Sequence, residues 1–148
     1  MKAVNIPAEL SEYHSVIRLP VQWGDQDAFG HVNNTVYFRW FESARIAYFQ
    51  HTGIEGPLSA VGLGPILASI KCDYRRQITY PDVVLVGARV TRIGNSSLSM
   101  RHGLYSERLG VIAAEGDSVI VAFDYEANVS KRIPEEVRAI LASWDSKA

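Results

Sequence analysis

Apolar and polar residues alternate along this chain in two rhythms. In NNTVYFRWFESARIAYFQHTG, residues 33–53, the apolar positions Val36, Tyr37, Trp40, Phe41, Ala44, Ala47 and Tyr48 follow the three-and-four spacing of a helix. Asn33 or Asn34 suits its start and Gly53 a left-handed stop. Phe38, Ile46 and Phe49 widen the stripe over most of the circumference, so the rest of the protein should enclose this helix.

Elsewhere the period is two. HSVIRLPVQW (14–23) reads as a strand, and Pro20, which has no N–H, places that strand at a sheet edge or breaks it. After the Gly-rich connection HTGIEGPLSAVGLGP, the segment PILASIKCDYRR alternates. Ile66, Ala68, Ile70, Cys72 and Tyr74 are expected on one face, with Ser69, Lys71, Asp73 and Arg75 on the other. TYPD and GNSS mark turns around DVVLVGARVTRI, which is apolar on both faces for much of its length. SLSMRHGLYSE and VIAAEGDSVIVAFDY complete the strands, and IPEEVRAILASW closes with a short helix over 134–144. Residues 1–13 are expected to form an extended arm. A strand, an enclosed helix, four antiparallel strands and a terminal helix together predict an α+β architecture, a curved sheet around one long helix. The doubly apolar strand places a second subunit against the outer sheet face.

Composition narrows the function. A length of 148 residues predicts one domain, 1–148, with a core that needs no disulfide. A net charge of −1 offers no field for nucleic acid or an anionic membrane, so an anionic ligand must be held by locally placed Arg or Lys. The single cysteine, Cys72, fits a reducing compartment, and no apolar run suits a membrane span or a signal peptide, which predicts a cytoplasmic protein. His14, His31, His51 and His102 lack metal-ligand spacing, and no phosphate-binding glycine loop or G-x-S-x-G elbow occurs, so neither a cofactor nor a serine hydrolase is expected.

The chemistry concentrates in GDQDAFGHVNN, residues 24–34, at the start of the apolar helix. A loop of Asp and Asn in that place either caps the helix or builds a site on its free N–H groups and positive dipole end. Asp25 and Asn33 read as loop-fixing residues, and Glu42 as the partner of Arg39 or Arg45 in a helix-surface ion pair.

The run WGDQDAFGHVNNTVYFRWFESAR, with its D-x-D-x-x-G-H-V-N-N-x-x-Y arrangement, and the later turn RIGNSSL resemble the hot-dog fold acyl-CoA thioesterases. Within these the resemblance is to the 4-hydroxybenzoyl-CoA thioesterase group and its short bacterial relatives of the Tol–Pal operon. It covers roughly residues 14–142 and implies an antiparallel sheet wrapped around one long central helix. Asp27 then matches the catalytic carboxylate, and the backbone N–H of Asn34 the group that polarises the thioester carbonyl. HVNN is also similar to the loop of plant acyl-ACP thioesterases, where His31 matches a catalytic histidine, but Phe29 stands where those enzymes carry Asn. Gly30 would let the backbone approach the acyl group, and Phe29, Tyr37, Leu63 and Ile66 would line its pocket. For the CoA nucleotide the candidates are Arg92, Ser96 and Ser97 at the turn and Lys131–Arg132 after the last strand. In some members that turn is strongly basic, whereas RIGNSS carries only Arg92.

The resemblance therefore implies hydrolysis of an acyl-CoA or acyl-ACP thioester by a homodimer or homotetramer, with the pocket between subunits. Asp27 could act as general base on water or attack directly, and the sequence leaves both open. Two rivals are a hot-dog hydratase or dehydratase, and a non-catalytic acyl-CoA-binding protein. The first uses a histidine followed by Pro and Gly, whereas His31 is followed by VNNTVY; the second needs an output module.

Overall fold

The computed structural model describes residues 5–145. In chain order its elements are β1 (Ser15–Pro20), α1 (Asn34–Thr52), α2 (Glu55–Ala60), β2 (Leu63–Tyr74), β3 (Val83–Ile93), β4 (Ser97–Ser106), β5 (Val111–Asp124), β6 (Val129–Ser130) and α3 (Glu135–Trp144). Every strand pairing is antiparallel, in the order β1-β3-β4-β5-β2, with the short β6 beside the end of β5. Pro20 ends β1 at the sheet edge, opposite Val83, where its missing donor costs no ladder bond. Segment 55–60, expected as connection, is a one-and-a-half-turn helix despite Gly56 and Pro57.

The caps of α1 account for its length. Asn33 Oδ1 accepts from Thr35 N at 2.9 Å, and Gly53, at φ 75°, ends the helix with its N–H on the Phe49 carbonyl. The concave sheet face packs on this helix through Val84, Val86, Ala88 and Val90 of β3, Leu98, Met100 and Leu104 of β4, and Ala114 and Ile120 of β5. Phe41 crosses β5 at Gly116, where an added Cβ would lie 2.5 Å from the ring and 2.6 Å from the Lys71 carbonyl. Enclosure holds for most of α1, but Ile46 stays 45% exposed on the single chain.

Buried polar side chains, among them His102, Ser118 and Arg45, break the apolar pattern under the sheet. His102 stacks on Phe41 and meets Ser118 Oγ at 2.9 Å through Nε2. Burial, with Arg45 nearby, pushes its imidazole down to about 3, so the ring is neutral. Arg45 is itself buried, and Glu42 forms no ion pair among the described residues. The expected surface pair is therefore replaced by a guanidinium drawn into the protein. At the chain's end, Asp145 accepts from Tyr48 Oη at 2.6 Å and from Val90 N at 3.0 Å, tying the segment after α3 to α1 and β3.

On the convex face the expected extended arm is partly folded. Residues 1–4 of the expected arm lie outside the described residues, but 8–10 form a 3-10 turn, and Leu10 and Tyr13 pack on the outer side of the sheet against Leu85. Gly87 and Gly103 make room for them: a Cβ at Gly87 would sit 2.5 Å from Tyr13 Cγ. The chain's own N-terminal segment thus covers the outer apolar position of β3 that suggested a second subunit there. In β2, the register slips between Leu67 and Ser69, leaving Ala68 as an extra residue. Ile70, Cys72 and Tyr74 oppose the helix-facing Ser118, Gly116 and Ala114, but Ile66 opposes Val121 and faces outward. The single face predicted from Ile66 to Tyr74 is therefore split. No helix among the described residues is long and apolar enough to cross a membrane.

Candidate active site

The loop before α1 is closed by its own backbone. Asp25 is buried; its carboxylate accepts from Gln22 N at 2.8 Å and its carbonyl from Asn33 N at 2.9 Å. Asp27 N donates to the His31 carbonyl at 2.8 Å and Gly30 N to the Asp27 carbonyl at 3.1 Å, with Gly30 at φ 81°, a conformation that favours glycine. Asp27 Oδ1 accepts from Phe29 N at 2.8 Å, which fixes the carboxylate and leaves Oδ2 without a hydrogen-bond partner among the described residues. The loop is stitched to the segment after β2 by Val32 N on the Ile78 carbonyl, 2.8 Å.

Between this loop and the end of β2 lies a cleft of about 540 Å³, lined by Asp27, Phe29, His31, Val32, Asn34, Tyr37, Tyr74, Arg75, Arg76 and Gln77. Tyr37 and Tyr74 meet edge to face with ring centroids 4.9 Å apart, and Tyr74 Oη donates to the Asn34 carbonyl at 2.9 Å. Burial raises the Tyr37 phenol to about 12, so it is a neutral wall. At the helix start Thr35 N and Val36 N are taken by Asn33, while Asn34 N has no acceptor among the described residues. Asn34, which carries this free amide at the positive end of α1, lines the same cavity as Asp27.

The structure brings Asp27, Phe29, His31, Asn34 and Tyr37 together, with Gly30 in the loop that carries them. It does not bring the remaining candidates there. Leu63 and Ile66 lie at the other end of β2; eight residues separate Ile66 from Tyr74, about 25 Å of strand. Arg92, Ser96 and Ser97 line a second cavity of about 260 Å³ with Gly94, Asn95 and Ser99, at that same far end of the sheet. Arg132 joins this group through Nη1 on Asn95 Oδ1 at 3.0 Å, while its Nη2 pairs with Glu135 at 2.9 Å. Sequence reasoning missed Tyr74, Arg75 and Arg76 as cleft residues; the pair of arginines closing an apolar strand was the available signal. Cys72 faces the helix with its thiol raised to about 11 by burial, so it holds no thiolate at neutral pH.

An antiparallel sheet curled around one long helix is the architecture of the hot-dog thioesterases. Residues 21–141 match the model of the thioesterase-like superfamily, and the chain belongs to that family. It is 34% identical to the PA2801 protein of Pseudomonas aeruginosa, over 86% of this chain and 97% of that one, with a TM-score of 0.75. A thioesterase of Thermus thermophilus, solved with coenzyme A and zinc, is 31% identical over 93% of this chain and 99% of that one, with a TM-score of 0.80. YsmA of Bacillus subtilis is 29% identical over 85 residues, 57% of this chain and 56% of its own length.

Proposed function

We propose that this chain hydrolyses acyl-CoA thioesters in the Asp27 cleft. The observation that carries this reading is that Asn34, its N–H unpartnered among the described residues, and Asp27, its Oδ2 likewise free, line one cavity. The thioester carbonyl oxygen accepts from Asn34 N, and the helix dipole favours the negative charge that develops there. Asp27 then takes a proton from a water that attacks the carbonyl carbon. Alternatively its oxygen forms the new C–O bond directly, the C–S bond breaks with departure of the thiolate, and water cleaves the resulting mixed anhydride. His31 orients the water or the carbonyl from the cleft wall, Tyr37 flanks the acyl group, and Gly30 leaves room above it.

Coenzyme A as carrier is supported by the Thermus relative solved with it. The proposed assembly is a homodimer through the free edge of β2, which among the described residues pairs only with β5 and exposes Ile66 and Leu67. A two-fold axis across that edge sets the Leu63 end of one copy beside the Tyr74 end of the other. This supplies the acyl-pocket positions Leu63 and Ile66, and the nucleotide contacts Arg92, Ser96, Ser97 and Arg132, from the second subunit.

The test is release of free thiol from a panel of acyl-CoA and acyl-ACP thioesters spanning short, long and aromatic acyl groups. Asp27→Asn should lower kcat by about 10²-fold or more with an unchanged melting temperature. An unchanged rate would remove Asp27 from the mechanism, and wild-type protein that binds acyl-CoA without releasing thiol would favour the binding-protein reading.

A further inference from the structure

The segment after β2 is held more firmly than its exposure requires. Tyr74 is fixed by its hydroxyl on the Asn34 carbonyl; Arg75 N and Arg76 N both donate to the Ala113 carbonyl, at 2.8 and 3.0 Å; and the Ile78 carbonyl takes Val32 N at 2.8 Å. These bonds fix where the two arginine side chains depart, beside the cleft. Their charges then differ in fate. Arg75 reaches Glu115 at 3.3 Å, a carboxylate shared with Arg101 at 3.2 Å. Arg76 makes no ion pair and no side-chain hydrogen bond among the described residues. Among the described residues Asp27 is the sole carboxylate lining the cleft, and its proposed job in hydrolysis requires it to face the acyl carbon rather than neutralise a guanidinium. The cavity therefore keeps one uncommitted positive charge.

We propose that Arg76 is the residue that recognises an anionic group on the thioester substrate. Its planar fork suits two oxygens of a phosphate or a carboxylate. Those oxygens belong either to the carrier's phosphates or to a carboxylate on the acyl chain. The inference deepens the thioesterase reading and rests on it, since it places the substrate in the Asp27 cleft.

A two-by-two set of substrates separates the sources: hexanoyl-CoA, hexanoyl-pantetheine, adipoyl-CoA and adipoyl-pantetheine, with wild type, Arg76→Gln and Arg76→Lys. The expected result is a rise in KM of about tenfold for Arg76→Gln, with kcat changed much less and Arg76→Lys recovering part of the loss. A loss confined to the two CoA thioesters assigns the phosphates, and one confined to the two adipoyl thioesters assigns the acyl carboxylate. An equal loss on hexanoyl-pantetheine, which bears neither anion, or no loss on any substrate, overturns the proposal. Titration calorimetry with free CoA against pantetheine, and adipate against hexanoate, reads the same preference without turnover. A failure of Asp27 as catalyst is thereby distinguishable from a failure of Arg76 as anion contact.

Discussion

Tyr74 Oη and the Asn34 carbonyl lie 2.9 Å apart, so the last residue of β2 is bonded to the first residue of α1. The bond joins the two sides of the cleft at the residue whose N–H faces the proposed oxyanion. Tyr74→Phe keeps the ring contact with Tyr37 and removes the bond alone. Stability should fall by about 1 kcal/mol or less, given the exposure of Tyr74, while kcat/KM falls several-fold as the helix start loosens. Denaturant midpoints and steady-state kinetics on one protein preparation check both halves.

Asn33 carries the cap one position earlier. Asn33→Ala should cost about 1 kcal/mol, because Thr35 N loses its acceptor at the helix start. Asn33→Ser should recover most of it. If the alanine variant melts with the wild type, the cap contributes nothing and α1 is held by its packing alone.

On the convex face, Gly87→Ala should destabilise by about 1–3 kcal/mol, since its methyl would meet Tyr13 near the backbone rather than at a movable ring tip. In a Tyr13→Ala background the same substitution should cost far less. A double-mutant cycle on chemical denaturation measures the coupling, and additive effects would mean that Tyr13 does not press on Gly87 in solution.

Neutral His102 sets a pH dependence. Its folded pKa, about 3, lies below the ordinary histidine value near 6.5. Between those values the unfolded chain binds a proton that the native state refuses. The contribution of neutral His102 is therefore complete above the unfolded value and is lost as pH falls towards 3. Urea midpoints at pH 8 and pH 5 should differ more for wild type than for His102→Gln; equal differences would mean that the ring titrates freely.

The elements whose signals are local were legible in the sequence. The ends of α1 follow from Asn33 and Gly53, the edge position of β1 from Pro20, and the alternating strands from their period. What was missed depends on contacts between distant segments. The cleft joins the loop at 27–34 to a strand end forty residues on from Asn34, so Arg75 and Arg76 read only as the polar end of a strand. Gly87 and Gly103 carry no sign that Tyr13 fills the space above them. Helical spacing offered Arg45 to Glu42, but packing buried the guanidinium, and although Glu42 stays near enough to act on its charge, the two form no ion pair among the described residues. The candidate carboxylate and amide line one cleft because they share one short motif. Leu63, Ile66, Arg92, Ser96, Ser97 and Arg132 lie at the other end of the sheet of the same chain, and nothing in a strand's period says which end it reaches.

The supernumerary residue Ala68 divides β2 into halves of opposite phase. A one-codon deletion there would remove the bulge and leave the faces as they are, with Leu67 still opposite Ile120, Ser69 opposite Val119 and Ile66 outward. What the extra residue supplies is a local bend and a stronger twist, so its loss would straighten the outermost strand without carrying any side chain to the other face.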